Sequence, residues 1–167
     1  MNRVQRWWRH LTTGTLARRA AFPAHVLNAV EQAIRDCESR HAGEIRFAVD
    51  AALSLSDLWH GVTPREAAQE AFARLGVWDT AHNNGVLIYV LLADRDVEIV
   101  ADRAVGSGRV AQTEWEACCR VMEKHFAQGR FRDGAIAGIQ AVAEVLARHP
   151  PGAADAGNEL PDAPALI

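Results

Sequence analysis

Apolar residues recur along this chain with two different periods, and the switches between them outline the fold. After Phe22-Pro23, Leu27, Val30, Ile34 and Cys37 repeat at intervals of three and four. That is one buried stripe of a helix with proline in its tolerated first turn, ending before Gly43. "GEIRFAVD" then alternates: Ile45, Phe47 and Val49 point one way and Arg46 and Ala48 the other, predicting a strand with Asp50 at its carboxyl end.

A loop over 51–62 leads into "TPRE", where Thr63 caps the next helix, Pro64 is its first residue and Glu66 reaches back. Such a capping box contributes on the order of 1 kcal/mol. Ala68, Ala71, Phe72 and Leu75 form the inner face of this helix, and Gly76 suits its left-handed end.

The clearest supersecondary signal is "NNGVLIYVLLADRDVEIVAD". Val86 to Leu92 is an unbroken apolar run, as expected of a strand covered on both faces. Ala93-Asp94-Arg95-Asp96 is short enough for a hairpin turn, and Val97 to Ala101 returns as the partner. Asp94-Arg95 then reads as turn chemistry. Beyond Gly106-Ser107-Gly108, "TEWE" repeats the capping pattern with Thr113 and Glu116. Trp115, Cys118, Met122 and Phe126 continue as a stripe that Gly129 stops. A last helix carries Ile136, Ile139, Ala143 and Leu146 and ends at Pro150-Pro151.

At the other end, residues 1–20 place Val4, Trp7, Trp8 and Leu11 at helical spacing, with Arg3, Arg6 and Arg9 elsewhere on the turn. The stripe either packs on the domain or on a second copy of it, or lies on an anionic membrane surface. The order α, α, β, α, β, β, α, α predicts an α/β/α sandwich: a small mixed sheet with helices on both faces, which buries every stripe named above. The chain divides into an amphipathic N-terminal helix (1–20), one domain (21–149) and a disordered tail (150–167) rich in Pro, Ala, Gly and Asp.

Composition narrows the function classes. At 167 residues and 49% apolar, one core is expected, and it needs no disulfide or metal staple. A net charge of −3 argues against a nucleic-acid binder. Cys37, Cys118 and Cys119 are odd in number and form no CxxC, so a reducing compartment and buried free thiols are expected. No apolar run reaches the roughly 18–20 residues of a membrane span, and no secretory signal core is present. The expected location is the cytoplasm.

"GEIRFAV", "AFARLG" at 71–76, "NNGVLIYVLLADRDVEIVADR" and "FRDGAIAGI" occur in an order and spacing that resemble the TPM-domain family. That family is named from a thylakoid-lumen protein, a photosystem II repair factor and a receptor-channel modulator. The resemblance covers most of residues 22–149. It implies an α/β/α sandwich with Rossmann-like layering, and a family that includes acid-phosphatase-like members, divalent-cation binders and assembly or accessory factors. Within it, the chain is similar to a short bacterial form, the bare domain plus an N-terminal helix.

Ligands in open α/β sheets sit outside the carboxyl ends of strands. Asp50 ends the first strand, Asp102 and Arg103 end the third, and a loop with Asp79, His82, Asn83 and Asn84 precedes the second. If the first and third strands run the same way, Asp50 and Asp102 share an edge. With Asp79 they would then offer the oxygen ligands that Ca2+ or Mg2+ wants. The plain alternative is that Asp50 closes a loop, Asp102 pairs with arginine and Asn83-Asn84-Gly85 is a turn.

Gly106-Ser107-Gly108-Arg109-Val110-Ala111 fits a loose GxGxxA pattern, but it does not follow its strand directly and no further strand ending in an acid comes after it. No nucleotide cofactor is therefore expected. Gly106, Gly108 and Arg109, with Arg103, could hold a phosphate only weakly. A cysteine phosphatase loop needs an arginine after five intervening residues, where this chain has Lys124 and His125; Asp50-Ala51-Ala52 lacks the second aspartate of aspartyl-phosphate enzymes. The seven histidines show neither HxH nor HxxxH spacing, which disfavours zinc.

The expected function is a module that binds Ca2+ or Mg2+ and engages an unidentified protein partner or, through residues 1–20, a membrane surface. A weak metal-dependent acid phosphatase, with no assigned catalytic residue, is the alternative.

Overall fold

The computed structural model describes residues 3–38, 40–106, 108–150 and 157–167. Its elements are α1 (Arg3–Thr12), α2 (Thr15–Ala21), α3 (Ala24–Glu38), β1 (Glu44–Asp50), α4 (Leu55–His60), α5 (Pro64–Arg74), β2 (Gly85–Leu91), β3 (Asp96–Ala101), α6 (Gln112–Phe126), α7 (Phe131–Arg148) and β4 (Ala165–Leu166). The strands form one sheet in the order β3-β2-β1-β4. β1 runs parallel to β2 and to β4, whereas β2 and β3 are antiparallel.

Alternation along the strands builds two cores. Ile45, Phe47 and Val49 of β1 and Val86, Ile88 and Val90 of β2 join Val30, Ile34, Trp115, Met122 and Ile139 from α3, α6 and α7. On the other face Ala48, Leu87, Tyr89 and Leu91 meet Leu58, Ala68 and Ala71 from α4 and α5. Every residue of β2 is buried because it lies between these layers. The expected α/β/α sandwich is thus realised.

Local signals decide several boundaries. Thr63 and Glu66 make the reciprocal box at the start of α5: the Glu66 N–H donates to Thr63 Oγ1 at 3.2 Å, and the Thr63 N–H donates to Glu66 Oε2 at 2.8 Å. Gly76 takes φ +66° just past that helix, where an L side chain would be strained.

Four expectations are corrected. The helix expected over 1–20 is two helices, because Gly14 adopts an extended conformation between them. The 51–62 loop contains α4, capped by a Ser54/Asp57 box. Thr113 caps nothing: the N-cap of α6 is Ala111, two residues earlier than expected, and the helix starts at Gln112, which leaves Thr113 inside the first turn.

The fourth concerns the C-terminal segment. Residues 151–156 lie outside the described residues, but 157–167 are ordered against β1 rather than disordered. Glu44 Oε2 accepts from the N–H groups of Glu159 and Leu160, both at 3.1 Å. Arg46 donates to the carbonyls of Pro161 at 2.6 Å and Ala163 at 2.5 Å. Ile167 N–H then bonds the Val49 carbonyl at 3.0 Å, completing β4 on the open edge of β1.

Candidate functional site

The sheet decides which candidate residues meet. Because β1 is parallel to β2 and β2 antiparallel to β3, β1 and β3 run in opposite directions. Asp50 is level with Leu91 and Asp96, whereas Asp102 follows Ala101, which pairs with Val86 near the start of β2. The two aspartates therefore lie at opposite rims, about 20 Å apart along the strand direction at 3.3 Å per residue. The expected Asp50–Asp102 edge does not exist.

At the Asp50 rim the carboxylate accepts from the Tyr89 hydroxyl at 2.8 Å and from the Ala52 N–H at 3.3 Å. Burial pushes its pKa up, against the downward pull of those two bonds. Asp50 opens into a cleft of about 230 Å³ that Asp57, Glu70 and Arg74 also line. Asp57 is already committed, since one of its oxygens accepts from both the N–H and the hydroxyl of Ser54.

The other rim gathers most of the remaining candidates. Gly85 carbonyl accepts from Asp102 N–H at 2.9 Å, and Asn83 carbonyl from Ala104 N–H at 2.9 Å, so the loops before β2 and after β3 are laced together. Arg103 donates to Asn83 Oδ1 at 3.0 Å, and Asn83 itself sits at φ +52°. Asn84 is buried; its N–H donates to Thr80 Oγ1 at 3.1 Å and its side-chain amide to the Ala42 carbonyl. Asp79 lies on the same connecting loop, exposed.

Asp102 itself is unusual. Its side chain is only 10% exposed. Oδ1 accepts from the Arg103 N–H at 2.7 Å, yet Oδ2 is buried with no hydrogen-bond partner among the described residues. Asn84 Oδ1 is in the same position. Buried polar atoms are nearly always satisfied. Two oxygens without a hydrogen-bond partner among the described residues thus lie on adjoining loops.

The anion candidates divide as well. Gly106, Gly108 and Arg109 line an open cleft at the start of α6 together with Arg65 and Trp115, while Arg103 reaches the other way, to Asn83.

The TPM domain family matches residues 19–145. This chain belongs to the TPM domain family. Its fold is similar to the NMR structure of BA42 protein from the psychrophilic bacterium Bizionia argentinensis, at 28% identity and TM-score 0.73, over 86% of this chain and 94% of that one. No curated protein matches the sequence.

In this TPM domain, no group of three or more His, Cys, Asp or Glu side chains arranged to hold a metal occurs among the described residues. Any cation at the Asp102 rim would therefore rely on amide and carbonyl oxygens as well as a carboxylate. Burial pushes the Cys118 and Cys119 thiols up to about 11 and about 12, which removes the thiolate a cysteine nucleophile needs.

Sequence reasoning missed one cluster. Asp94, taken for turn chemistry, is a buried acceptor for Arg6 and His10 of α1. No local signal could announce this, because its partners lie more than 80 residues away.

Proposed function

We propose that this TPM domain is a divalent-cation-binding accessory module whose cation sits at the Asp102 rim, among Asp102, Asn84 and the 79–84 loop. The observation that carries the reading is the buried, partnerless Oδ2 of Asp102. Hard cations take oxygen ligands from carboxylates, side-chain amides and backbone carbonyls together. Asp102 and Asn84 present two such oxygens on loops fixed by the sheet. One firm carboxylate suits a weak site, and Asp79, exposed on the loop before β2, is the second carboxylate this reading assigns. Asp50, at the far rim and already hydrogen-bonded twice, is not a ligand in this reading.

Titrating Ca2+ and Mg2+ while following amide NMR shifts tests it. The expected result is a set of perturbations confined to residues 79–85 and 102–106, lost in Asp102→Asn. Silence at millimolar cation, or shifts centred on Asp50, would overturn the assignment. Cation-dependent phosphate release from an aryl phosphate, abolished by the same substitution, would instead make the module a phosphatase.

A further inference from the structure

The structure splits the N-terminal stripe in two. Trp7 turns inward, its ring meeting Trp59 of α4 edge-on with centroids 6.4 Å apart. His10 is buried, accepting at Nδ1 from the Leu53 N–H at 3.0 Å and meeting Asp94 at 3.0 Å through Nε2. Arg6 clasps the same carboxylate. These contacts fasten α1 to the domain by one side only. Val4, Trp8 and Leu11, spaced to stack along another side, are 76%, 68% and 59% exposed, and Leu16 of α2 is 79% exposed. Trp59, next to α1, is also exposed. Large apolar side chains rarely gather like this on a soluble surface without a task.

Charge identifies the occupant. Residues 1–20 hold five of the eighteen basic residues and none of the twenty-one acidic ones, so the remainder of the chain is strongly negative. Asp94 pairs with Arg6 and His10, while Arg3 and Arg19 stay exposed. A few side chains fall far short of the roughly 20–30 residues per side in a stable protein interface. They are enough for shallow insertion beside basic residues that neutralise anionic headgroups, with tryptophan at the boundary. We infer that the Val4–Trp8–Leu11 side of α1, with Leu16, is a docking surface for an anionic phospholipid membrane, and that the Arg6–Asp94–His10 latch holds the domain in a fixed orientation on it. The inference is independent of the cation reading.

The test is sedimentation of the full chain with phosphatidylcholine vesicles and with vesicles half phosphatidylglycerol, in chelator so that cation binding plays no part. The chain should pellet with the anionic vesicles, less in high salt, and little with phosphatidylcholine alone. Trp8→Ala with Leu11→Ala should weaken partition roughly tenfold or more with the melting temperature unchanged, since both side chains are exposed. Brominated anionic lipid should quench tryptophan fluorescence in the unaltered chain, a readout that does not depend on how the variant folds. Full recovery in the supernatant with anionic vesicles, or equal pelleting of the double variant, would overturn the inference. So would a concentration-dependent dimer that the double variant abolishes, because the face would then belong to a second copy.

Discussion

Arg6 and Asp94 meet across 88 residues of chain: Nη2 lies 2.8 Å from Oδ2, and Nε lies 3.0 and 3.1 Å from the two carboxylate oxygens. The same guanidinium donates to the Val62 carbonyl at 2.8 Å, and His10 closes the other side of Asp94. One aspartate in a hairpin turn thereby fixes the docking of an entire helix. Asp94 sits between α1 and the carboxyl rim of β2.

Removing Asp94 should release α1. Asp94→Ala leaves Arg6 and His10 without their shared acceptor, and breaking a largely buried pair costs about 3 kcal/mol, discounted here because Arg6 is partly exposed. Hydrogen exchange should show residues 3–12 losing protection while β2 keeps its own. Burial raises the Asp94 pKa, but the bonds from His10 and Arg6 outweigh it and bring the carboxyl to about 2. With a folded pKa depressed below an ordinary value near 4, the latch contributes in full above pH ~4 and is lost as pH falls through 2. Protection of α1 that persists in the alanine variant would sink this account.

Glu44 plays the corresponding part for the C-terminal segment. It is buried at the start of β1 and accepts from two consecutive backbone N–H groups, which is how 159–160 are held against the sheet. Glu44→Ala should expose the amides of 159, 160 and 167 to exchange, with a loss of about 2 kcal/mol for the charge-assisted bonds. Unchanged exchange at those three amides would show that Arg46 and the edge pairing suffice without it.

Two glycines should respond differently to alanine. A Cβ at Gly85 would stand 2.1 Å from the Val77 carbonyl oxygen, a backbone atom that cannot yield without moving the loop into β2. Gly85→Ala should cost about 3 kcal/mol or more in urea denaturation. At Gly138 the clash, at 2.2 and 2.3 Å, is with the γ-carbon and sulfur of Met122, a flexible side chain, so Gly138→Ala should cost about 1–2 kcal/mol. Equal losses at the two positions would contradict this distinction.

The elements that could be read in advance were those determined locally. The hairpin, the Thr63 box and the stripes of α3 and α7 each depend on residues within a few positions of one another. α4 went unseen because six residues carry no usable period. The C-terminal strand is held by Glu44 and Arg46, more than 100 residues earlier, and its own composition resembles a tail. The opposed rims of Asp50 and Asp102 were in principle readable. A helical crossover makes β1 and β2 parallel and a tight turn makes β2 and β3 antiparallel, so the first and third strands must run oppositely. What the sequence could not supply is the burial of Asp102 Oδ2 and Asn84 Oδ1, which depends on how two loops close over each other.

Asp96 tests the electrostatics of the sheet's other end. It opens β3 beside Glu98 and Glu123, half-buried, and no hydrogen-bond donor among the described residues meets its carboxylate. Burial, then the neighbouring Glu98, Glu123 and Asp94, push its pKa up to about 6. The unfolded chain returns it to about 4, so the folded state binds the proton more tightly than the unfolded one. Its contribution is favourable below pH 4 and is lost as pH rises through 6. Asn keeps the shape without the charge. Asp96→Asn should therefore be more stable than the parent by on the order of 1–2 kcal/mol at pH 8, discounted for partial solvent screening, and no more stable at pH 4. Urea midpoints at the two pH values decide it: an advantage of equal size at both, or none at pH 8, would mean that the charge on Asp96 is not what strains this corner of the fold.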